Sequence, residues 1–179
     1  MTYVEDNIGG LKAEALLCSL DCITKEIVER KYKMLKKRLF VATALAAGVA
    51  AIPVLGVNAA VNTVLLVHEV RHYMSVFGVE RERVNSLKDF DHSLLKCTYL
   101  LKPNINMVLV VVTKIGAFTA LLLASSVLDL ILPLVGSVIS SVTTATITYR
   151  FLESTLQDIK YDALLIYEHI VNTNADHRM

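Results

Sequence analysis

The sequence contains no tryptophan, only three cysteines and almost no net charge, which is +1 at pH 7. Tryptophan is one of the two aromatic residues that mark membrane interfaces, so one signal of a membrane protein is missing. A net charge near zero gives no whole-molecule attraction to nucleic acid, which is therefore not predicted as a partner. Cys18, Cys22 and Cys97 are odd in number and lack framework spacing. This favours reduced thiols in a cytoplasmic chain over disulfides or a zinc ribbon.

Nucleotide-binding motifs are absent as well. No Gly-Lys pair occurs anywhere in the chain, so there is no G-x-x-x-x-G-K-[ST] loop to hold phosphates. The segment 113–116, Thr-Lys-Ile-Gly, lacks the aspartate that would bind a guanine base. No serine stands in a nucleophile elbow, and no Gly-rich dinucleotide fingerprint follows a strand. The chain by itself is therefore predicted to need no cofactor, to bind no GTP and not to be an enzyme.

What the sequence does contain is apolar: 54% of its 179 residues are hydrophobic and 20% are charged. The longest uncharged stretch, Phe40–Val67, is divided by Pro53, which removes a helix hydrogen bond, and by Gly56, which suits a helix end. The part before Pro53 is about thirteen residues, or ~20 Å of helix, whereas a hydrocarbon core is ~30 Å thick. Two helices packed as a hairpin are therefore favoured over a membrane span.

The second apolar region, Asn104–Tyr149, is interrupted by proline and glycine in the same way. The segment 52–56, Ile-Pro-Val-Leu-Gly, has its counterpart in 132–136, Leu-Pro-Leu-Val-Gly, and a helix of small residues follows each. Small side chains let neighbouring helices approach closely. No segment shows convincing strand periodicity. The predicted fold is therefore all-α, a multi-helix bundle built around two Pro/Gly-broken apolar helical hairpins.

The other helices follow from capping and periodicity. Thr24 is a predicted N-cap. Apolar side chains then recur at alternating four- and three-residue steps and form one helical stripe, at Val28, Tyr32, Leu35, Leu39 and Ala42. Short helices are predicted over 80–90 and 92–101, after Gly78 closes the hairpin, and a long amphipathic helix over 148–171.

The predicted domain organisation is simple. Residues 1–10 lack the basic and apolar regions of a secretory signal and form a flexible lead-in that ends in a glycine pair. Residues 11–171 form a single helical domain, which is long enough to bury a core. Residues 172–179 form a frayed tail.

The segment 68–72 reads His-Glu-Val-Arg-His, a literal H-E-x-x-H motif on a predicted helix. Two imidazoles at i and i+4 share a face and could hold a zinc ion, with Glu69 as the base toward a bound water. No H-x-x-G-x-x-H extension follows, and a third ligand would have to come from Asp89, Asp91 or His92. A zinc-dependent hydrolase using His68, Glu69 and His72 is thus an alternative. The simpler interpretation is that these are partly exposed polar residues at the solvent end of a helix.

A run of cations from Lys31 to Arg38 precedes the uncharged stretch, and most of them lie off the apolar stripe of their helix. A solvated face is the simpler interpretation, and contact with lipid headgroups is the alternative. Lys36, Lys37 and Arg38 stand directly before the stretch. They are therefore the candidates for contact with an anionic membrane surface or a partner.

Two segments carry a resemblance to a known family. The segment 52–78 resembles the C-terminal helical part of the interferon-inducible immunity-related GTPases (the IRG family), with its Ile-Pro-x-x-Gly turn, its Leu-Leu-Val helix and its Tyr-x-x-x-Phe-Gly ending. The segment 132–152 resembles the family's later Ile-Pro-x-x-Gly-Ser segment with its Thr-Thr-Tyr helix. The two matches occur in the same order and at a similar separation. The resemblance covers most of the chain from about Leu16 onward.

The resemblance implies a helical module of cell-autonomous immunity that supports assembly and contacts intracellular or pathogen-enclosing membranes. The expected partners are a GTPase domain or an IRG-like chain, including a second copy in an oligomer, and an intracellular membrane on which the cytoplasmic protein is peripheral. The family's GTP-binding domain would precede Leu11 and is absent here, as are the N-terminal helices of the helical domain. The second proline of the family's turn is Leu55, and the usual acidic residue after it is Asn62.

Two alternatives remain beside this interpretation. The mean hydropathy of +0.52 and the length of both apolar regions allow an integral membrane protein with re-entrant or spanning hairpins. The zinc-dependent hydrolase is the other, although the resemblance makes its motif an accident of two histidines beside a family glutamate. Alkaline carbonate extraction tests the first alternative, and metal analysis of the purified chain tests the second.

Overall fold

A computed structural model gives the fold over residues 16–18, 24–50, 57–102, 106–111, 113 and 133–176. Within these ranges the regular elements are helices, and no strand occurs. The elements used below are, in chain order, α1 (Lys25–Ala50), α2 (Val57–Phe77), α3 (Arg81–Asn85), the 3₁₀ turns His92–Leu94 and Thr98–Leu100, and α4 (Pro133–Asp176). Residues 16–18 and 107–111 are helical as well. The predicted all-α fold is confirmed.

Helix α1 begins at its predicted capping residue. Thr24 Oγ1 accepts a hydrogen bond from Ile27 N at 3.1 Å, which satisfies an N–H group that has no partner inside the helix. The predicted apolar stripe of α1 faces the core, since Tyr32 is half-buried and its other members are buried, namely Val28, Leu35, Leu39 and Ala42. The N-cap and the stripe are therefore both confirmed.

Helix α2 ends in a glycine turn that satisfies its last carbonyls. Gly78 N donates to Ser75 O at 3.1 Å and Val79 N donates to Met74 O at 2.9 Å, which is the bonding pattern of a Schellman motif. Gly78 has a φ of +68°, a left-handed conformation that strains residues with a side chain. A Cβ at this position would also stand 2.7 Å from Arg83 Nη1. The prediction that Gly78 closes this helix is confirmed.

A further carbonyl at the end of α2 accepts a hydrogen bond from a buried lysine. Lys31 on α1 is 1% exposed, and its Nζ donates to Val76 O and, at 3.5 Å, to Cys18 O. A buried ammonium group is tolerated where carbonyl oxygens accept its protons. The predicted solvated face of residues 31–38 is thus wrong at Lys31, because the end of α2 requires a donor there.

Helix α4 differs from its predicted extent. It is one continuous helix from Pro133 to Asp176, where the sequence predicts a small-residue helix after Gly136 and a separate helix over 148–171. Proline is well tolerated at the first helical position, because the N–H group that it lacks would be unpaired there. Pro133 therefore starts a helix. The turn at 51–56 and the segment 114–132 lie outside the described residues.

Residues 80–101 are less helical than predicted. Helix α3 covers only Arg81–Asn85, and two three-residue 3₁₀ turns take the place of the helix predicted over 92–101. Asp91 caps the first of these turns, since its Oδ1 accepts a hydrogen bond from Ser93 N at 2.9 Å. Such local side-chain bonds compete with helix formation, which explains the shorter elements.

The chain divides into two compact units. Unit 1 comprises residues 1–35, 72–101 and 156–179, and its largest fully buried side chains are Val28, Lys31, Leu35, Tyr73, Val79, Val84, Leu156 and Ile159. Unit 2 comprises residues 36–71 and 102–155, and its corresponding side chains are Leu39, Val70, Val111 and Leu152. Each unit therefore has buried apolar side chains of its own. The predicted lead-in, single domain and tail stay a prediction.

Candidate functional site

An ion pair joins α1 to α2 within unit 2. Arg38 Nε donates to Glu69 Oε2 at 3.0 Å, and Arg38 Nη2 donates to Glu69 Oε1 at 2.9 Å, so the guanidinium holds both carboxylate oxygens. The Glu69 side chain is 4% exposed and that of Arg38 is 44% exposed. Arg38 is as many residues from the C-terminal end of α1 as Glu69 is from the N-terminal end of α2. Residues at equal distances from the two connected ends lie opposite each other in an antiparallel helix pair.

This ion pair bears on the H-E-x-x-H motif. Glu69, which would be the base of a zinc hydrolase, already accepts two hydrogen bonds from Arg38 and is shielded from solvent. His68 is exposed and His72 is half-buried. The interpretation of Glu69 as a partly exposed residue is therefore wrong, because a cation on α1 stabilises its buried carboxylate. Across the described part of the chain, no group of three or more His, Cys, Asp or Glu side chains could hold a metal ion.

The three candidate cations before the uncharged stretch have different surroundings. Lys36 Nζ lies 3.0 Å from Glu153 Oε1 on α4, and Arg38 pairs with Glu69. The charges of both residues are thus offset by acidic side chains of the same unit. Lys37 is exposed. Of the three, Lys37 offers the charge best placed for an external ligand.

Exposed side chains form a stripe on each of these two helices, and we call the two stripes the hairpin surface. It comprises Lys37, Val41 and Leu45 on α1 and Val61, Val64, His68 and Arg71 on α2. Neighbours in each stripe are three or four residues apart and so share one helix face. Val41, Leu45 and Val64 are 61%, 57% and 67% exposed. In both stripes the apolar side chains lie toward the 51–56 connection, and the cationic or imidazole side chains lie away from it.

A buried carboxylate on α4 organises a loop of unit 1. Asp162 is 0% exposed, and its Oδ1 and Oδ2 accept hydrogen bonds from Lys96 N at 2.8 Å and from Cys97 N at 2.9 Å. Burial raises the pKa of the Asp162 carboxyl, while the hydrogen bonds from residues 96 and 97 oppose that rise and nearby Asp158 adds to it. Burial likewise raises the pKa of the Tyr99 hydroxyl in the same loop. The amphipathic helix predicted over 148–171 includes Asp162, but the sequence alone assigns this residue no role.

Length and hydropathy of the helices bear on the membrane alternative. Of the helices within the described ranges, none is both long enough and apolar enough to cross a lipid bilayer.

A family model described as interferon-inducible GTPase (IIGP) matches residues 1–160. No curated protein and no solved structure gives a significant match.

Proposed function

Because the chain belongs to the interferon-inducible GTPase (IIGP) family, we propose that it is a non-catalytic helical module of that family which contacts an intracellular membrane. The contact is made peripherally, from the cytoplasm, by the hairpin surface. In cell-autonomous immunity the module would act together with a GTPase domain or a second chain of the family. The observation that carries the proposal is the matched order of apolar and cationic side chains on α1 and α2.

The order of side chains fits a lipid–water boundary. Val41 and Leu45 on α1 and Val61 and Val64 on α2 are exposed, so they are available to enter the acyl region without unfolding unit 2. A helix lying in a membrane interface buries its apolar side chains ~5–10 Å deep, with Lys and Arg on the polar side. Lys37 continues the α1 stripe on its cationic side and would meet anionic headgroups, where each cation contributes about 1 kcal/mol.

Single exposed apolar residues are common on proteins and carry no meaning by themselves. In this chain, four exposed apolar residues lie in the two stripes of α1 and α2, and an ion pair joins these two helices. At the end of each stripe farther from the 51–56 connection are side chains that anionic headgroups attract. The Arg38–Glu69 pair supports the arrangement, because it holds α1 against α2 close to the cationic end of both stripes. The hairpin surface thus lies wholly within unit 2.

Vesicle binding tests this proposal. The purified chain is expected to float with phosphatidylcholine vesicles that contain phosphatidylserine, and binding should weaken when phosphatidylserine is omitted. Replacing Leu45 and Val64 together by glutamate should lower the bound fraction by about tenfold or more, since it removes apolar area and adds charge. Lys37→Glu alone should chiefly reduce the dependence on phosphatidylserine.

A matched control removes exposed apolar side chains elsewhere. Leu94 and Val171 lie in unit 1 and are 56% and 44% exposed. The double variant Leu94→Glu with Val171→Glu makes the same chemical change away from the hairpin surface and should bind vesicles like the unaltered chain. Equal loss of binding in both double variants would refute the assignment. If the Leu45→Glu, Val64→Glu variant instead turns a dimer into a monomer and leaves vesicle binding intact, the surface binds a second copy.

The absence of GTP binding is tested on the same preparation. A fluorescent GTP analogue is expected to show no saturable binding, because the sequence has no phosphate-binding loop. Saturable binding that unlabelled GTP displaces would contradict the non-catalytic assignment and leave the membrane result unaffected.

A further inference from the structure

Two arginines precede one exposed serine at the end of α3. The segment 81–87 reads Arg-Glu-Arg-Val-Asn-Ser-Leu, so Ser86 has arginine three and five residues before it and a leucine directly after it. Protein kinases choose substrates partly by charge pattern, and an arginine pairs bidentately with carboxylates of an acidic peptide cleft. We propose that Ser86 is a phosphorylation site for an arginine-directed serine/threonine kinase.

The structure presents this serine in a suitable place. Ser86 and Arg81 are exposed, and Arg83 and Leu87 are half-buried. Helix α3 has only five residues, Arg81–Asn85, and helices this short have little stability of their own. Opening α3 into the extended form that a kinase cleft requires therefore breaks few helix hydrogen bonds, and its main cost is the exposure of the buried Val84 side chain. The core residue Val84 holds the segment to unit 1 when no kinase is bound.

The reaction itself is an ordinary phosphoryl transfer with ATP as the co-substrate. Ser86 Oγ attacks the γ-phosphorus of ATP, an O–P bond to the serine forms, and the bond between the γ-phosphorus and the β,γ-bridging oxygen breaks. ADP leaves with the bond electrons, and the hydroxyl proton passes to the aspartate base of the kinase. In the resting structure this hydroxyl donates to Arg83 O at 2.7 Å, and that bond must open first.

Phosphorylation would change Ser86 from a residue that stabilises the end of α3 into one that destabilises it. The residue is the C-cap of α3, and its N–H is directed at Glu82 O and Arg83 O, both at 3.2 Å. A phosphoserine has no hydroxyl donor and carries about −1.5 to −2 charges, which is unfavourable at the negative end of a helix. Phosphate at Ser86 is therefore expected to open α3 and the following turn. That turn is held to α4 by the 2.8 Å hydrogen bond between Lys88 O and His169 Nε2.

Kinase assays on the full chain test the site. An arginine-directed kinase with Mg²⁺ and ATP should place one phosphate on Ser86, located by peptide mass spectrometry, and Ser86→Ala should remove it. Arg81→Ala and Arg83→Lys should each lower kcat/KM by about tenfold or more, since each removes charge-assisted hydrogen bonds to the kinase. Lys88→Ala is the matched control, because it removes an exposed cation on the other side of Ser86 and should leave kcat/KM unchanged.

The structural effect is read by hydrogen exchange. Amides of residues 81–88 should exchange about tenfold faster in the phosphorylated chain, whereas Ser86→Ala, which loses the hydroxyl bond but gains no charge, should show a smaller increase. Phosphate found on Ser93, an exposed serine without arginine at either position, would overturn the assignment. The assignment would also be overturned if a kinase that is active on a standard peptide transferred no phosphate to the chain, or if Ser86→Ala took up as much phosphate as the unaltered chain.

Discussion

Replacing Asp162 by alanine is expected to lower the free energy of unfolding by about 3 kcal/mol. The carboxylate accepts hydrogen bonds from Lys96 N and Cys97 N at a position with 0% exposure, so the substitution leaves two donors without an acceptor. Each orphaned buried donor costs about 1–3 kcal/mol. Asp162→Asn should cost about half as much, because its amide oxygen still accepts one of the two bonds. Urea unfolding followed by far-ultraviolet circular dichroism measures both values.

The pH dependence provides a second measurement on the same variants. Burial raises the pKa of Asp162 in the folded state above its value of about 3.9 in the unfolded chain. The folded state therefore binds the proton more tightly, and this carboxyl's contribution to stability falls as the pH rises from about 4 through the folded pKa. The wild-type chain should thus lose stability relative to Asp162→Asn over that range. If the free energy of unfolding of the wild-type chain instead rose relative to that of Asp162→Asn as the pH increases, the burial of this carboxylate would be contradicted.

The second large effect is expected at the Arg38–Glu69 pair. Arg38→Ala should lower the free energy of unfolding by about 2–3 kcal/mol, because it leaves the buried Glu69 carboxylate, 4% exposed, without its cation. The double variant Arg38→Ala, Glu69→Ala should be more stable than Arg38→Ala alone, since the uncompensated charge is then gone. A double-mutant cycle measured by urea unfolding gives the coupling between the two side chains.

Lys36 provides the matched control for this cycle. It is on the same helix and pairs with Glu153 at 3.0 Å. Lys36 is about as exposed as Arg38, at 41% against 44%, but its acidic partner is far more exposed than Glu69, at 26% against 4%. Exposed ion pairs contribute about 0–1 kcal/mol, so Lys36→Ala should have a small effect. If Arg38→Ala proves no more costly than Lys36→Ala, the Glu69 carboxylate is not confined as the structure shows.

Local features of the fold could be predicted from the sequence. Thr24 caps α1 through a hydrogen bond that spans three residues, and Gly78 ends α2 through bonds that span three to five residues, so the sequence contains all the partners. The apolar stripe of α1 could likewise be predicted, because it depends only on the spacing of apolar residues along the sequence. The family resemblance, which rests on two short segments, is confirmed by the family match over residues 1–160.

Features that depend on distant partners could not be predicted. Arg38 and Glu69 are 31 residues apart, Lys31 and Val76 are 45 apart, and Asp162 lies 66 residues from Lys96. Glu69 and Asp162 did carry a signal, because each interrupts an apolar stripe of its own helix, as a buried and paired carboxylate does. The continuity of α4 was also missed, because the sequence predicts one helix after Gly136 and another over 148–171, whereas the structure joins them into one.

The buried Lys31 determines how unit 1 responds to reagents that acylate amines. Its Nζ is enclosed at 1% exposure and bound to the carbonyls of Val76 and Cys18, whereas Lys33 and Lys37 on the same helix are exposed. The two exposed amines can react while the chain is folded, but the Lys31 amine reacts only when the end of α2 separates from α1. The ratio of acylation at Lys31 to that at Lys33 therefore records how often unit 1 opens, without any substitution or attached probe.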